Sequence, residues 1–369
     1  MKTIKLSKNE IDSLLLLFLL GSSVVVGLNL DTEENAWLVN LGAMLFGVGL
    51  FFFYTFLVKK SGWLPFDQLL ELAFGKVLAK IILLLYSLYF LYIASRVVKD
   101  FSYFISQTLF YEIEDFVISF VLVSTIVYAA TLGLEAVART SQILLFFTFI
   151  LLFLIILFSF ISDLMYLENI RPLVDIGALD FRHFYKWITF PYGEIVVFLF
   201  IFPLVNDRKK LLKSGWIPIV VSGMILILLS EIIIGILGAK VAALYTLPVV
   251  KAIEMINLME VIQHLEFLSV FSFLFVGFVK VSIFFVCSTE VIHRVVPIFQ
   301  SRFLIVLFGV LLFFLSIYIA DDLSHHLHIG LEIVPLYLHV PFQFVIPLAI
   351  LVMLVIKKRR VNNKEGVKA

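Results

Sequence analysis

Two of the ten long apolar runs in this chain are broken in the middle. The run 11–30 is interrupted by Gly21, Ser22 and Ser23, and the run 181–205 by Pro191, Tyr192, Gly193 and Glu194. Glycine, serine and proline in the middle of an apolar run release backbone amides and carbonyls from the helical ladder. In hydrocarbon such groups are tolerated only where protein or a polar cavity receives them. Each broken run opens a set of five, so the chain reads as two comparable halves. Interrupted spans at corresponding positions of two halves point to a small-ligand site near the midplane of a membrane.

Composition fixes the solvent. Hydrophobic residues make up 62% of the chain and charged residues 15%, with a mean hydropathy of +1.10. Soluble domains are nearer half apolar and a quarter charged, so the reading is an all-α integral membrane protein in the lipid bilayer. The net charge of +1 and the absence of a basic stripe with interleaved aromatics give no nucleic-acid partner. The single cysteine, Cys287, excludes an internal disulfide framework and a cysteine-rich metal site. Lys2, Lys5 and Lys8 before an apolar run resemble a signal peptide. The run is too long and lacks a small-x-small cleavage site, so it reads as a retained span.

The ten spans fall near 11–30, 37–58, 79–104, 115–134, 141–162, 181–205, 216–238, 267–287, 303–320 and 335–356. They form one polytopic domain, with one half at about 11–162, the other at about 181–356 and a cytoplasmic tail at about 357–369, polar and expected to be disordered after Arg360. Lysine and arginine crowd the N-terminal segment, the even-numbered connections and the tail, whereas Asp31, Thr32, Glu33, Glu34 and Asp321, Asp322 mark the other side. The positive-inside rule then places both termini in the cytoplasm. Arg96, Lys99 and Asp100 enter the third span near its far end, which a long tilted helix would bring to the interface.

A charged residue at the bilayer centre costs about 2.5–3.5 kcal/mol on insertion scales, so it normally faces the bundle interior. Glu194 follows the sixth-span break, where the helix end favours a carboxylate. It either lines a ligand cavity or caps freed amides. Lys280, in the eighth span, either acts as a tethered cation beside the broken first span or snorkels to the interface. Nearby Gly277 and Ser282 suggest a face packed on protein. Glu231 lies in the seventh span beside Ser230. Tyr86, Tyr89 and Tyr92 form a stripe that offers either hydroxyls to a ligand or ordinary packing. His325, His326 and His328 lack metal-ligand spacing and read as a solvated outer loop. No nucleophile–base pair, phosphate loop or carboxylate dyad is visible, so neither an enzyme nor a cofactor is expected.

The connection between the fourth and fifth spans reads Gly133-Leu134-Glu135-Ala136-Val137-Ala138-Arg139, with Glu135 and Arg139 one helical turn apart and able to pair. This G-x-E-x-x-A-R segment resembles that of the B subunits of bacterial spore germination receptors, the GerA-type nutrient receptors. Further matching pieces follow in order: Asp31 to Trp37, Glu168-Asn169-Ile170-Arg171-Pro172 before Gly177, Phe190-Pro191-Tyr192-Gly193-Glu194 and Phe278-Val279-Lys280. One departure is His264-Leu265-Glu266, where many relatives have an arginine followed two residues later by an acid.

The resemblance implies ten transmembrane helices in an amino acid/polyamine/organocation (APC/LeuT-like) permease fold, a five-plus-five inverted repeat with broken first and sixth helices. It also implies a sensor in the spore inner membrane that binds a small-molecule germinant and works with an A-type membrane subunit and a C-type lipoprotein subunit. The residues alone support a germinant sensor and a secondary amino acid transporter equally. The expected ligand-binding residues are Gly21, Ser22, Ser23, Pro191, Tyr192, Gly193, Glu194 and Tyr89. Glu135, Arg139, Lys280 and Glu231 are expected to couple or brace the site, and no metal is expected.

Overall fold

A computed structural model of the chain describes residues 5–366 except 111, 172, 173, 176, 178, 246, 257–265, 298 and 321. Pro172, Asp321, His264 and Leu265 therefore lie outside the described residues, as does the side chain of Glu266. The protein is an all-α integral membrane protein. Among the described residues eight helices are continuous and apolar enough to cross a bilayer. They correspond to the second to fifth and seventh to tenth spans. The two remaining spans are those broken by Gly21 and Pro191.

The second span is Ala36–Lys60, the third Lys76–Thr108, the fourth Asp115–Leu132 and the fifth Leu134–Ile161. After the interrupted sixth come Ile217–Leu237, Glu266–Val295 and Ser301–Tyr318. The tenth is π-helical from Ile329, with an α-helical turn residue at Val334, and becomes α-helical at Ile346. Backbone helix continues to Gly366, which corrects the expectation of a disordered tail. The fourth connection is also shorter than the sequence implied. Gly133 alone makes the turn, at φ +89°, and Leu134 already begins the next helix. A φ of this sign is strained for a residue with a Cβ, which accounts for glycine there.

The eighth span is the centre of the bundle: 78% of its apolar window is buried, against 22% for the fifth and tenth. It packs on the third, fifth and first spans. Small side chains let it do so, since a Cβ at Gly277 would meet the ring of Phe101 in the third span. Lipid-facing helices instead expose large apolar residues such as Phe146, Phe153 and Phe314, as expected where hydrocarbon is the solvent.

The two faces of the bundle differ. On one, Leu6 pairs in parallel with Val205 at the end of the sixth span, through Leu6 N–H to the Leu204 carbonyl and Asn206 N–H to the Leu6 carbonyl, both 2.9 Å. Ser7 then caps the first helix in a reciprocal box with Glu10. These contacts seal that end between the first and sixth spans. The opposite face holds a vestibule of about 210 Å³ between the first, sixth and tenth spans.

Candidate ligand site between the interrupted spans

The first span runs as helix over Lys8–Leu20, turns at Gly21 and Ser22, and resumes for one turn at Ser23–Val26. A Cβ on Gly21 would collide with the aliphatic stem of Lys280 and the Phe18 carbonyl oxygen. Glycine at this position lets the eighth span approach the break. In the sixth span, helix Phe184–Thr189 ends in an extended Phe190, a cis Phe190–Pro191 peptide follows, and Tyr192–Phe200 continues as a 3₁₀ helix.

Lys280 joins the two breaks. Its Nζ lies 2.6 Å from Glu194 Oε2 and donates to Ser22 Oγ at 3.2 Å. It also sits over the rings of Phe18 and Phe190, at 5.4 and 4.7 Å from their centroids. The two charged side chains are 0% and 2% exposed. At such burial an ion pair is tolerated because each partner compensates the other. The sequence left Lys280 between a tethered cation and a snorkelling one; its amine points inward.

Glu194 and Ser22 also line a small cavity of about 50 Å³, whose other polar walls are Arg96, Asp100 and His339. Space of that order holds a few waters. Phe190, Val26, Leu327 and Leu331 border both this cavity and the vestibule, so they separate the two. Lys186 and Glu332, 2.5 Å apart, stand with Asp31 around the vestibule.

Not all expected site residues converge here. Ser23 turns its hydroxyl back to the Leu19 carbonyl. Tyr192 packs toward Gly47 and Gly223, away from the cavity, and its buried hydroxyl has no hydrogen-bond partner among the described residues. The 3₁₀ geometry rotates successive side chains by about a third of a turn, so Tyr192 and Glu194 face different ways. Gly193 lies against the Gln343 side-chain carbonyl, where a Cβ would clash. Pro191 forms the break itself. Tyr89 is bonded to His339 Nδ1 at 2.8 Å and accepts from Gln343 Nε2 at 3.1 Å. Tyr86 donates to the Phe342 carbonyl at 2.7 Å, so the tyrosine stripe seams the third span to the tenth.

Glu231 is apart from the cavity, with its Oε1 buried and unpartnered among the described residues. Glu135 and Arg139 pair at 2.5 Å on the first turn of the fifth span, but their side chains are 45% and 69% exposed. Arg139 also approaches Glu10 at 3.9 Å.

One sequence reading needs correction and another gains detail. The third helix is long, running on to Thr108, and turns Arg96 toward the bundle interior. Arg96 is 6% exposed. His326 is not in a solvated loop: its fully buried ring pairs with Asp100 Oδ1 at 2.8 Å, and its carbonyl accepts from Arg96 Nη2. His339 and Gln343 had no place in the sequence reading. A polar pair four residues apart in an apolar run shares one helix face and was the available signal. Among the described residues no three His, Cys, Asp or Glu side chains cluster as metal ligands would.

Two breaks meeting at a charged cavity in a ten-span bundle define a permease-type membrane fold. Solved structures of similar fold agree. MhsT in complex with L-phenylalanine superposes with a TM-score of 0.67, at 14% identity over 96% of this chain and 99% of that one. Mhp1, a nucleobase-cation-symport-1 family transporter with bromovinylhydantoin bound, gives 0.58 at 11% identity over 89% and 75%. Residues 5–323 match the family described as spore germination protein, and the chain belongs to that family. It is similar to spore germination protein KB of Bacillus subtilis (strain 168), 28% identical over the full length of both. Spore germination protein B2 of the same organism is 22% identical over 60% of each chain.

Proposed function

We propose that this chain is the germinant-sensing B-type subunit of a spore nutrient receptor, binding a small solute between its two interrupted spans. The observation that carries this reading is the polar cavity at the breaks, in a chain whose family is that of the spore germination proteins. The cavity touches Glu194, and Glu194 holds Lys280. A solute that interacts with Glu194 therefore alters an ion pair between the sixth and eighth spans whose lysine also holds Ser22 of the first, a differential contact of the kind that shifts a bundle between arrangements. The reading has further parts. The chain acts as one polytopic domain with repeats at about 11–162 and 181–356, sits in the spore inner membrane with both termini cytoplasmic, and signals through A-type and C-type partner subunits.

The second reading is a secondary amino acid transporter, favoured by the likeness to MhsT in complex with L-phenylalanine. Purified protein in liposomes, supplied with labelled amino acids under proton or sodium gradients, separates the two. The expected result is no saturable accumulation by this chain alone, with nutrient-dependent germination lost in spores carrying Gly21→Leu at unchanged protein level. Gradient-driven uptake that Gly21→Leu eliminates would establish the transporter instead.

A further inference from the structure

Of the charged side chains set inside the apolar runs, Glu194 and Lys280 answer each other, and Arg96 and Asp100 both bond His326. Glu231, in the seventh span, is different. Its Oε1 is buried without a hydrogen-bond partner among the described residues, and none of their cationic nitrogens lies within 4 Å of its carboxylate. The residue is half-buried and stands six positions before the helix end at Leu237, about 9 Å along the axis. At that depth a lone carboxylate is costly in hydrocarbon, and such groups are normally paired.

The helix face that carries it turns away from the bundle. Ile217, Val221, Met224, Leu228 and Glu231 succeed one another at steps of four, three, four and three residues, so they form one stripe. Ile217, Met224 and Leu228 are exposed, whereas Ser222, Leu226, Leu229 and Ser230 are buried, and the helix packs on the first and second spans. Gly235 is the next position of the stripe, and a Cβ there would strike Met165. The Gly235 carbonyl accepts from Tyr166 N–H at 3.0 Å and from Asn169 Nδ2 at 2.9 Å. The connection after the fifth span therefore roofs the stripe just beyond Glu231, and its own Tyr166 and Leu167 are exposed.

We propose that this stripe seats a membrane-spanning helix of a partner subunit, and that the helix brings a lysine or arginine side chain to Glu231. Charge decides between the candidates. Lipid tails suit the four apolar residues but give a carboxylate no partner. A second copy of this chain on the same face would bring two Glu231 side chains together, and like charges in hydrocarbon repel with little screening. A cationic side chain satisfies the carboxylate, and the pair forms only when the two helices are in register. This rests on the proposed function in taking the partner to be a subunit of the receptor, and gives that partner a face to sit on.

The test places a photo-crosslinking benzophenone amino acid at Leu228 of the full-length chain, or at the exposed Phe146 or Phe314 of the fifth and ninth spans for comparison, and irradiates membranes of spores that make it. The expected adduct from Leu228 joins a transmembrane segment of another protein that carries a lysine or arginine among apolar residues, with little from the other two positions. Glu231→Gln should cut this adduct about tenfold. Glu231→Lys should abolish it until the partner's cation is changed to glutamate, and rescue by the reversed pair identifies the contact. The chain alone, purified in detergent, should melt at the same temperature as wild type and as Glu231→Gln, because no described cation pairs with the carboxylate. A lower midpoint for Glu231→Gln would give Glu231 an internal role and overturn the proposal. Adducts from Leu228 to lipid alone or to a second copy of this chain would also overturn it, as would a partner adduct that neither variant diminishes. Irradiation is carried out without nutrient, so a failed docking test leaves sensing at the breaks standing, and a chain that proves to be a transporter can still pass it.

Discussion

Two ion pairs of nearly equal length occupy opposite circumstances in this protein. Lys280 and Glu194 meet at 2.6 Å with side chains 0% and 2% exposed, between residues from different spans. Arg139 and Glu135 meet at 2.5 Å, one turn apart on a single helix, with side chains 69% and 45% exposed. The distance is the same; the surroundings decide what each pair does. In the interior neither charge can be left alone, so the pair fixes the relative placement of the first, sixth and eighth spans. At the surface water or headgroups replace either partner, and the pair adds little beyond a local preference for helix.

The sharpest way to break this comparison is Lys280→Met. It strands Glu194 in the interior, and the expected loss is about 3–5 kcal/mol, read as a large drop in thermal midpoint in detergent. Combining it with Glu194→Gln removes both charges and should recover part of that loss. A double variant less stable than Lys280→Met alone would show that the pair is not what holds the breaks.

A smaller effect is expected for Tyr89→Phe. The hydroxyl bonds His339 and Gln343, both buried, and its removal leaves neutral groups without a partner rather than a charge. Loss of one such bond costs about 1–3 kcal/mol where the partners stay unsatisfied. A midpoint that does not move in Tyr89→Phe would mean that water already serves His339 and Gln343.

The smallest effect belongs to Arg139→Gln and Glu135→Gln. An exposed pair at this spacing contributes about 0.2–0.5 kcal/mol, and salt weakens it further. Each single variant should melt within a degree or so of the wild type. A drop as large as that of Lys280→Met would place this helix end against another subunit, because only burial in a complex would raise the cost so far.

How much of this was legible in the residues follows the same division between local and distant causes. The breaks at Gly21 and Pro191 announce themselves, since helix-breaking residues in an apolar run act where they stand. Lys280 could be nominated because a lysine amid apolar residues must find either a partner or the interface. The pairing of Glu135 with Arg139 was written in their spacing. The burial of Arg96 and of His326 was not legible because each depends on the other across the bundle. Asp100 meets His326 only once the short helix Leu323–His328 lies against the third span. Tyr192 was included in the site on proximity to the break, but its ring packs toward Gly47 and Gly223, a direction set by neighbours distant in sequence. The fourth connection is shorter than its residues suggest because of a single dihedral, the positive φ at Gly133, which permits a turn without a loop.

The pairing of Leu6 with Val205 also bears on how the protein is made. Leu6 is translated 199 residues before Val205. At ordinary synthesis rates of about 5–20 residues per second, that interval is roughly 10–40 s. Through that time five spans enter the bilayer while the Leu6 segment waits without its backbone partner. The seal is therefore one of the later bonds of the first six spans to form, and a bulky fusion ahead of Leu6 would interfere with assembly at that step rather than with insertion of the first span.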